Sequence, residues 1–295
     1  MGKNHNFIIL LSFFCLWINS FFSDKFQIII GFIFILSFGI LHGANDLKLI
    51  LTLNIKNKSI SFYKIITYYI AVVLVGVVCF YTVPLFALIL FISVSGYHFG
   101  EQQWQNLENR INKRFIYSFQ FTYGITILLI LFHFHQQEVQ NIIFEITSVA
   151  ISNSYIPLLL KIFGLALISM LLYLYLKVVE IRNQLILEVF YLLIFTIIFI
   201  SSSLIWGFAI YFVLWHSIPS MIDQIHFLYS DFNFSNFKKY IKSAFIYWIA
   251  SLFGIALLYF IFKEEKMFNA LFFSFLAAIT FPHALVILKM FGRKF

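Results

Sequence analysis

Apolar runs long enough to cross a lipid bilayer follow one another along almost the whole chain. A helix of about 20 apolar residues spans the hydrocarbon core of a bilayer. Runs of this kind predict about ten helices, at 6–22, 26–45, 62–82, 85–105, 115–134, 155–177, 184–200, 203–228, 243–262 and 267–290. Because lipid offers no hydrogen bonds to the backbone, we predict an all-α fold, a polytopic transmembrane helical bundle.

Composition supports this class. Hydrophobic residues make up 62% of the 295 residues and charged residues only 11%, whereas soluble domains carry about 25% charged residues. We therefore expect one integral membrane domain over 1–295. The first apolar run, from Phe7, lacks a small-residue cleavage site, so we interpret it as an uncleaved first span. The serines Ser201 to Ser203 either separate two helices or kink one long helix.

Positive charge is concentrated in alternate loops. The net charge is +8, and most of the lysines and arginines lie between apolar runs. The even-numbered loops carry most of them, for example Lys56 and Lys58 in the second and Arg110 and Lys113 in the fourth. Cytoplasmic loops are typically rich in these residues, so we expect both termini in the cytoplasm. We expect the basic side chains to meet the lipid bilayer, and we expect no nucleic-acid partner.

Four histidines lie within separate apolar runs. They are His42 in Leu-His-Gly-Ala-Asn-Asp, His98 in Tyr-His-Phe-Gly-Glu, His216 in Trp-His-Ser and His283 in Phe-Pro-His. Ionisable side chains at membrane depth are costly and usually face a bundle interior. Each could form a structural hydrogen bond to a neighbouring helix. Four together favour one metal site, since neutral imidazole is the commonest ligand for transition metals.

Acidic residues follow three of the histidines at helical spacing. A metal-binding imidazole usually donates its second ring nitrogen to a carboxylate or a carbonyl group. The candidate carboxylates are Asp46, four residues after His42, Glu101, three after His98, and Asp223, seven after His216. Each could instead be an interfacial residue at a helix end. His283 has no acid at such a spacing. Imidazole suits Fe, Zn, Cu and Ni alike, so these residues leave the metal open.

Taken in order, the four motifs resemble the Brp/Blh family of bacterial and archaeal membrane proteins. The resemblance runs from about residue 26 to 290 and rests on His-Gly-x-x-Asp, Tyr-His-Phe-Gly, Trp-His-Ser and Pro-His. It implies a β-carotene 15,15'-dioxygenase that cleaves its substrate at the central double bond with O2, giving two retinals. It also implies non-haem Fe(II), a multi-pass protein of the cell inner membrane and a functional link to a retinal-binding rhodopsin.

Carried onto this chain, the resemblance implies that His42, His98, His216 and His283 hold the iron. One position departs from the family pattern, which has two ligands one turn apart on one helix. Here the position four residues after His216 is Ser220, so His283 is taken as the fourth ligand. The other histidines lie near predicted helix ends or the terminus and are expected outside the set: His5, His133, His135 and His226.

Other functions remain open from the residues alone. Intramembrane His and Asp residues also line the pathways of ion-coupled or proton-coupled transporters. Another membrane metalloenzyme acting on a lipid is a second alternative, although diiron enzymes of that kind use several histidines on one short stretch. In this sequence the only close pair is His133 and His135. A haem protein with two axial histidines is a third alternative.

Overall fold

Helices account for every regular element in the computed structural model, which describes residues 2–55, 61–107, 111–261 and 265–291. The α-helices are α1 (Gly2–Asn19), α2 (Asp24–Phe34), α3 (Asp46–Ile55), α4 (Phe62–Thr82), α5 (Pro84–Trp104), α6 (Lys113–Phe134), α7 (Gln136–Thr147), α8 (Tyr155–Lys177), α9 (Arg182–Ile200), α10 (Leu204–Ile210), α11 (Ile218–Tyr229), α12 (Phe234–Ile261) and α13 (Glu265–Phe291). Two π-helical segments, Ile35–Gly39 and Tyr211–Ser217, extend α2 and join α10 to α11. The predicted all-α fold is confirmed.

Membrane-length helices dominate the part of the chain that the structure describes. Within it, eight helical segments are long and apolar enough to cross a membrane. Eight of the ten predicted runs correspond to these segments, and the first apolar helix, His5–Asn19, is shorter. The second predicted run, 26–45, holds most of α2 and the π-helical segment after it but ends in a turn at 42–45. The serine interruption separates two helices, because α9 ends at Ile200 and Ser203 caps α10 by accepting from the Trp206 amide at 3.4 Å.

Two compact units divide the chain, which we expected to form one domain. Unit 1 comprises Met1–Ile35, Gly96–Gln140 and Ile151–His216. Unit 2 comprises Leu36–Ser95, Asn141–Ala150 and Ser217–Phe295.

In unit 1, α6 packs against α8 and α9, and α10 packs against α2, α6 and α9. The backbones of the second half of α5 and of α6 approach each other closely. A Cβ atom at Gly100 would lie 1.8 Å from the Gln120 carbonyl oxygen, and one at Gly124 would lie 1.8 Å from the Gly96 carbonyl oxygen. Small residues spaced four apart allow such close crossings of apolar helices. Because His98 lies between Gly96 and Gly100, this crossing fixes the segment that carries it.

In unit 2, α13 packs against α3, α4 and α12, while α11 packs against α3 and α12. Two apolar clusters hold these helices together. The first joins α3 to α13 through Leu49, Val286, Ile287, Met290 and Phe291. The second joins the end of the π-helical extension to α11 and α12 through Leu41, Met221, Ile225, Tyr240 and Ala244. These clusters surround the chain segment from His42 to Asp46.

The crossing of α5 and α6 gives a test of the fold. Gly100→Ala should destabilise the protein by about 3 kcal/mol, the upper part of the range for overpacking, because the new methyl group meets backbone that cannot rotate away. We expect a Tm several degrees lower for the detergent-solubilised protein. Gly164→Ala on α8 is the matched control, since a Cβ there meets nothing within 4 Å. Equal melting temperatures for both variants would contradict the tight crossing.

Candidate metal-binding residues

Unit 2 holds two of the predicted ligands as a pair. The His42 and His283 rings lie 4.7 Å apart between centroids and are nearly perpendicular, at 88°. Both side chains are buried. His42 begins a turn, His42 to Asn45, that separates the π-helical extension of α2 from α3. Its carbonyl oxygen accepts from Gln224 Nε2 at 2.8 Å and from the Tyr240 hydroxyl at 3.1 Å.

Asp46 lies between the second histidine of this pair and a tyrosine. Its Oδ1 accepts from His283 Nδ1 at 2.8 Å, and its Oδ2 accepts from the Tyr69 hydroxyl at 3.0 Å. Asp46 is 2% exposed and lies in the first turn of α3, where the positive end of the helix dipole stabilises a carboxylate. We expected Asp46 to orient His42. The structure gives the carboxylate another imidazole, that of His283, since a turn follows His42 in place of continuous helix, and an orienting contact with His42 stays a prediction.

His42 uses the backbone in place of a carboxylate. Its Nδ1 donates to the carbonyl oxygen of Gly39. In both rings of this pair, then, Nδ1 faces an oxygen that only accepts, which assigns the proton to Nδ1. The lone pair of a neutral ring is then on Nε2, the atom that a metal would bind. The donor set of this pair therefore fits a transition metal.

Unit 1 holds the other two predicted ligands as a second pair. The His98 and His216 rings lie 4.8 Å apart between centroids, at 81°, and both are buried. His98 is on α5, whereas His216 is in the π-helical segment Tyr211–Ser217. Its carbonyl oxygen accepts from Gln102 Nε2 at 3.0 Å. Single π-helical turns are rare and occur often at functional sites.

The other two predicted acids differ in their relation to histidine. Glu101 is buried on α5, and its Oε2 lies 3.7 Å from His98 Nδ1. That separation suits a charge interaction but exceeds the length of a hydrogen bond. Asp223 is half-buried on α11. Its neighbour Gln224 is fully buried and donates to the His42 carbonyl group. A role for Asp223 beside His216 stays a prediction.

The remaining histidines occupy other surroundings. His135 Nε2 donates to the Phe199 carbonyl oxygen at 2.9 Å, as a structural hydrogen bond between the end of α6 and α9. His5 stacks on Tyr191, with 5.2 Å between ring centroids. His226 is exposed near the end of α11. Ser220, four residues after His216, is buried and accepts from Gln224 Nε2 at 3.3 Å.

A buried acid in unit 1 escaped the sequence interpretation. Glu188 on α9 is 3% exposed. Its Oε1 accepts from Gln103 Nε2 at 2.6 Å, and its Oε2 accepts from the Tyr123 hydroxyl at 2.8 Å. The signal was available, because Glu188 is a lone acid within the predicted span 184–200, and such residues usually face the protein interior.

These observations define an all-α protein with membrane-length apolar helices and two pairs of buried imidazoles. A family model described as beta-carotene 15,15'-dioxygenase matches residues 33–291, so the chain belongs to this family. The resemblance in the motifs is thereby confirmed, and membership indicates a β-carotene dioxygenase type of function for this helical membrane protein. No curated protein matches the chain significantly. No solved structure does so either.

The Glu188 network predicts a difference between two substitutions. Glu188→Leu removes the acceptor of both Gln103 and Tyr123, and each buried donor left without a partner costs about 1–3 kcal/mol. Glu188→Gln keeps the shape and can still bond both, since a tyrosine hydroxyl accepts as well as donates. We expect a clearly lower Tm for Glu188→Leu and a small change for Glu188→Gln. Indistinguishable Tm values would show that the network adds no stability.

Proposed function

We propose that this protein cleaves β-carotene at its central double bond with O2, giving two molecules of retinal. The family match over residues 33–291 carries the proposal. We further propose that His42, His98, His216 and His283 together hold one non-haem Fe(II). The burial of all four and the ring separations within each pair support this assignment.

The chain's own residues orient the proposed ligands. Asp46 holds His283 and the Gly39 carbonyl oxygen holds His42, and both contacts leave the lone pair of the neutral ring on Nε2, the atom that would bind a metal. Neutral imidazoles leave the charge of Fe(II) uncompensated, so the Asp46 carboxylate and, more distantly, Glu101 would offset it. Iron bound by these residues would supply the activation of O2 that the oxidation of a carbon–carbon double bond requires.

The substrate sets different demands on the protein. β-Carotene has no charge or hydroxyl group, so its binding must come from shape and apolar contact. Both β-carotene and O2 prefer hydrocarbon to water, and the bilayer would deliver them together. In the reaction one carbon–carbon double bond breaks and two carbon–oxygen double bonds form. The two oxygen atoms of O2 enter the two aldehydes, so no further reductant is needed.

The cellular setting remains our prediction. We expect a multi-pass protein of the cell inner membrane with both termini in the cytoplasm, as the loop charges indicate. The retinal would remain in the same membrane after release. A retinal-binding rhodopsin would be its natural acceptor, which is the functional link that the motif resemblance implies.

Alanine at any of the four histidines should abolish retinal formation. The test expresses each variant in cells that accumulate β-carotene and extracts the pigments. The unchanged chain should replace β-carotene with retinal, whereas His42→Ala, His98→Ala, His216→Ala and His283→Ala should leave the β-carotene in place. His226→Ala is the control, since this residue is exposed. Normal retinal yield from one of the four variants would remove that residue from the set.

Metal analysis of the same purified variants separates the enzyme from an ion-coupled transporter. We expect about one iron per unchanged chain and strongly reduced iron in the four alanine variants. Absence of retained iron in the unchanged chain, together with absence of retinal, would favour the transporter.

Asp46→Asn should weaken metal binding by about tenfold to a hundredfold, the range typical of groups that orient a ligand. An amide can still contact His283 but carries no charge and is a poorer acceptor for the ring proton. The measurement is iron content after dialysis against a graded chelator, alongside retinal yield. Asp24→Asn, an exposed acid in the first turn of α2, is the matched control. Unchanged iron retention in Asp46→Asn would contradict the orienting role.

A further inference from the structure

A small polar cavity lies inside unit 1 beside His216. Its wall includes Gln102, Gln103, Tyr123, Tyr211 and His216. The volume is about 10 Å³, which is at the lower limit for one water molecule. A cavity of this size and polarity suits one small molecule that forms several hydrogen bonds.

One side chain of this wall, Gln102, has a carbonyl oxygen without a hydrogen-bond partner among the described residues. Gln102 is 6% exposed, and among the described residues nothing bonds its Oε1. The orientation of the amide is fixed by its other end, because Nε2 donates to the His216 carbonyl oxygen at 3.0 Å. A buried carbonyl oxygen without a hydrogen bond destabilises the folded protein. The cavity next to it is therefore the place where its partner is expected.

Tyr211 supplies a complementary group. It is 5% exposed and lines the same cavity, and a tyrosine hydroxyl can both donate and accept a hydrogen bond. The neighbouring Tyr123 hydroxyl is already committed to Glu188. A water molecule could donate to Gln102 Oε1 and accept from the Tyr211 hydroxyl. The Gln103 side-chain oxygen offers a further acceptor, because its Nε2 donates to Glu188.

We infer that this cavity binds one ordered water molecule, held by Gln102 and Tyr211, and that Gln102 is a positioning residue for His216. The water completes the hydrogen bonds of the Gln102 amide and so fixes the nitrogen that holds the His216 carbonyl group. The role in positioning rests on the proposed function of His216 as an iron ligand. The water site itself does not, because it follows from the cavity and its polar wall.

The first test is a structure of the purified full chain, by electron microscopy or crystallography, at a resolution that shows ordered water. We expect a density peak within hydrogen-bonding distance, about 2.6–3.2 Å, of both Gln102 Oε1 and Tyr211 Oη. An empty cavity, or a protein group bonded to Gln102 Oε1, would overturn the water site. This outcome is independent of whether the protein makes retinal.

The second test uses Tyr211→Phe, which removes only the hydroxyl group. In its structure we expect the water peak to weaken or disappear. The turnover of β-carotene per bound iron should fall by about tenfold, the lower end of the range for groups that act through a ligand, with KM unchanged. Tyr155→Phe is the matched control on an exposed tyrosine of the same unit and should match the unchanged chain.

A purely structural role would give a different result. Loss of folded protein, measured by Tm and yield, would lower total retinal but leave turnover per bound iron unchanged, and that result would overturn the positioning role.

Gln102→Leu extends the test, because it removes the donor to His216 together with the acceptor for water. It should lower turnover per iron at least as much as Tyr211→Phe. If the unchanged chain makes no retinal, the proposed function fails, and the density peak alone judges the water site.

Discussion

The Asp46 carboxylate connects three helices of unit 2. It begins α3, accepts from Tyr69 on α4 and accepts from His283 on α13. In so apolar a protein an isolated buried charge would be prohibitively costly. Two hydrogen-bond donors and the positive end of α3 offset that cost. The same contacts fix the orientation of the His283 imidazole. Asp46 therefore both stabilises the fold and orients a proposed metal ligand.

Unit 1 orders its polar groups by different means. Glycines bring the backbones of α5 and α6 together, so that α5 carries His98, Glu101 and Gln102 in a fixed register. Aromatic rings confine His216 within its π-helical segment, with Phe99 at 4.6 Å and Phe212 at 5.6 Å between centroids. Close packing therefore restricts the orientation of the His98 and His216 rings, whereas a contact with a carboxylate restricts that of His283.

Local sequence properties made much of this structure predictable. Apolar length located the ten helical runs, and the cost of burying ionisable groups singled out the four histidines, all of which are buried. The partner of Asp46 could not be predicted, since His283 is 237 residues away and its contact depends on the packing of α3 against α13. The turn after His42 and the two π-helical segments were also missed, because apolar periodicity does not distinguish them from continuous α-helix. Glu188 was missed although its position in an apolar run was visible.

The Tyr69 hydroxyl has a consequence for how this protein would respond to its membrane. It belongs to α4, a helix whose outer face is largely exposed, as at Tyr68, Leu74, Val75 and Tyr81. Helices in contact with lipid adjust their tilt when the thickness of the hydrocarbon layer changes. Since the hydroxyl bonds Asp46 directly, a change in tilt of α4 acts on the carboxylate that holds His283. The length of the lipid acyl chains would therefore affect the orientation of the buried His283 ring, through the hydrogen bond of Tyr69 to Asp46.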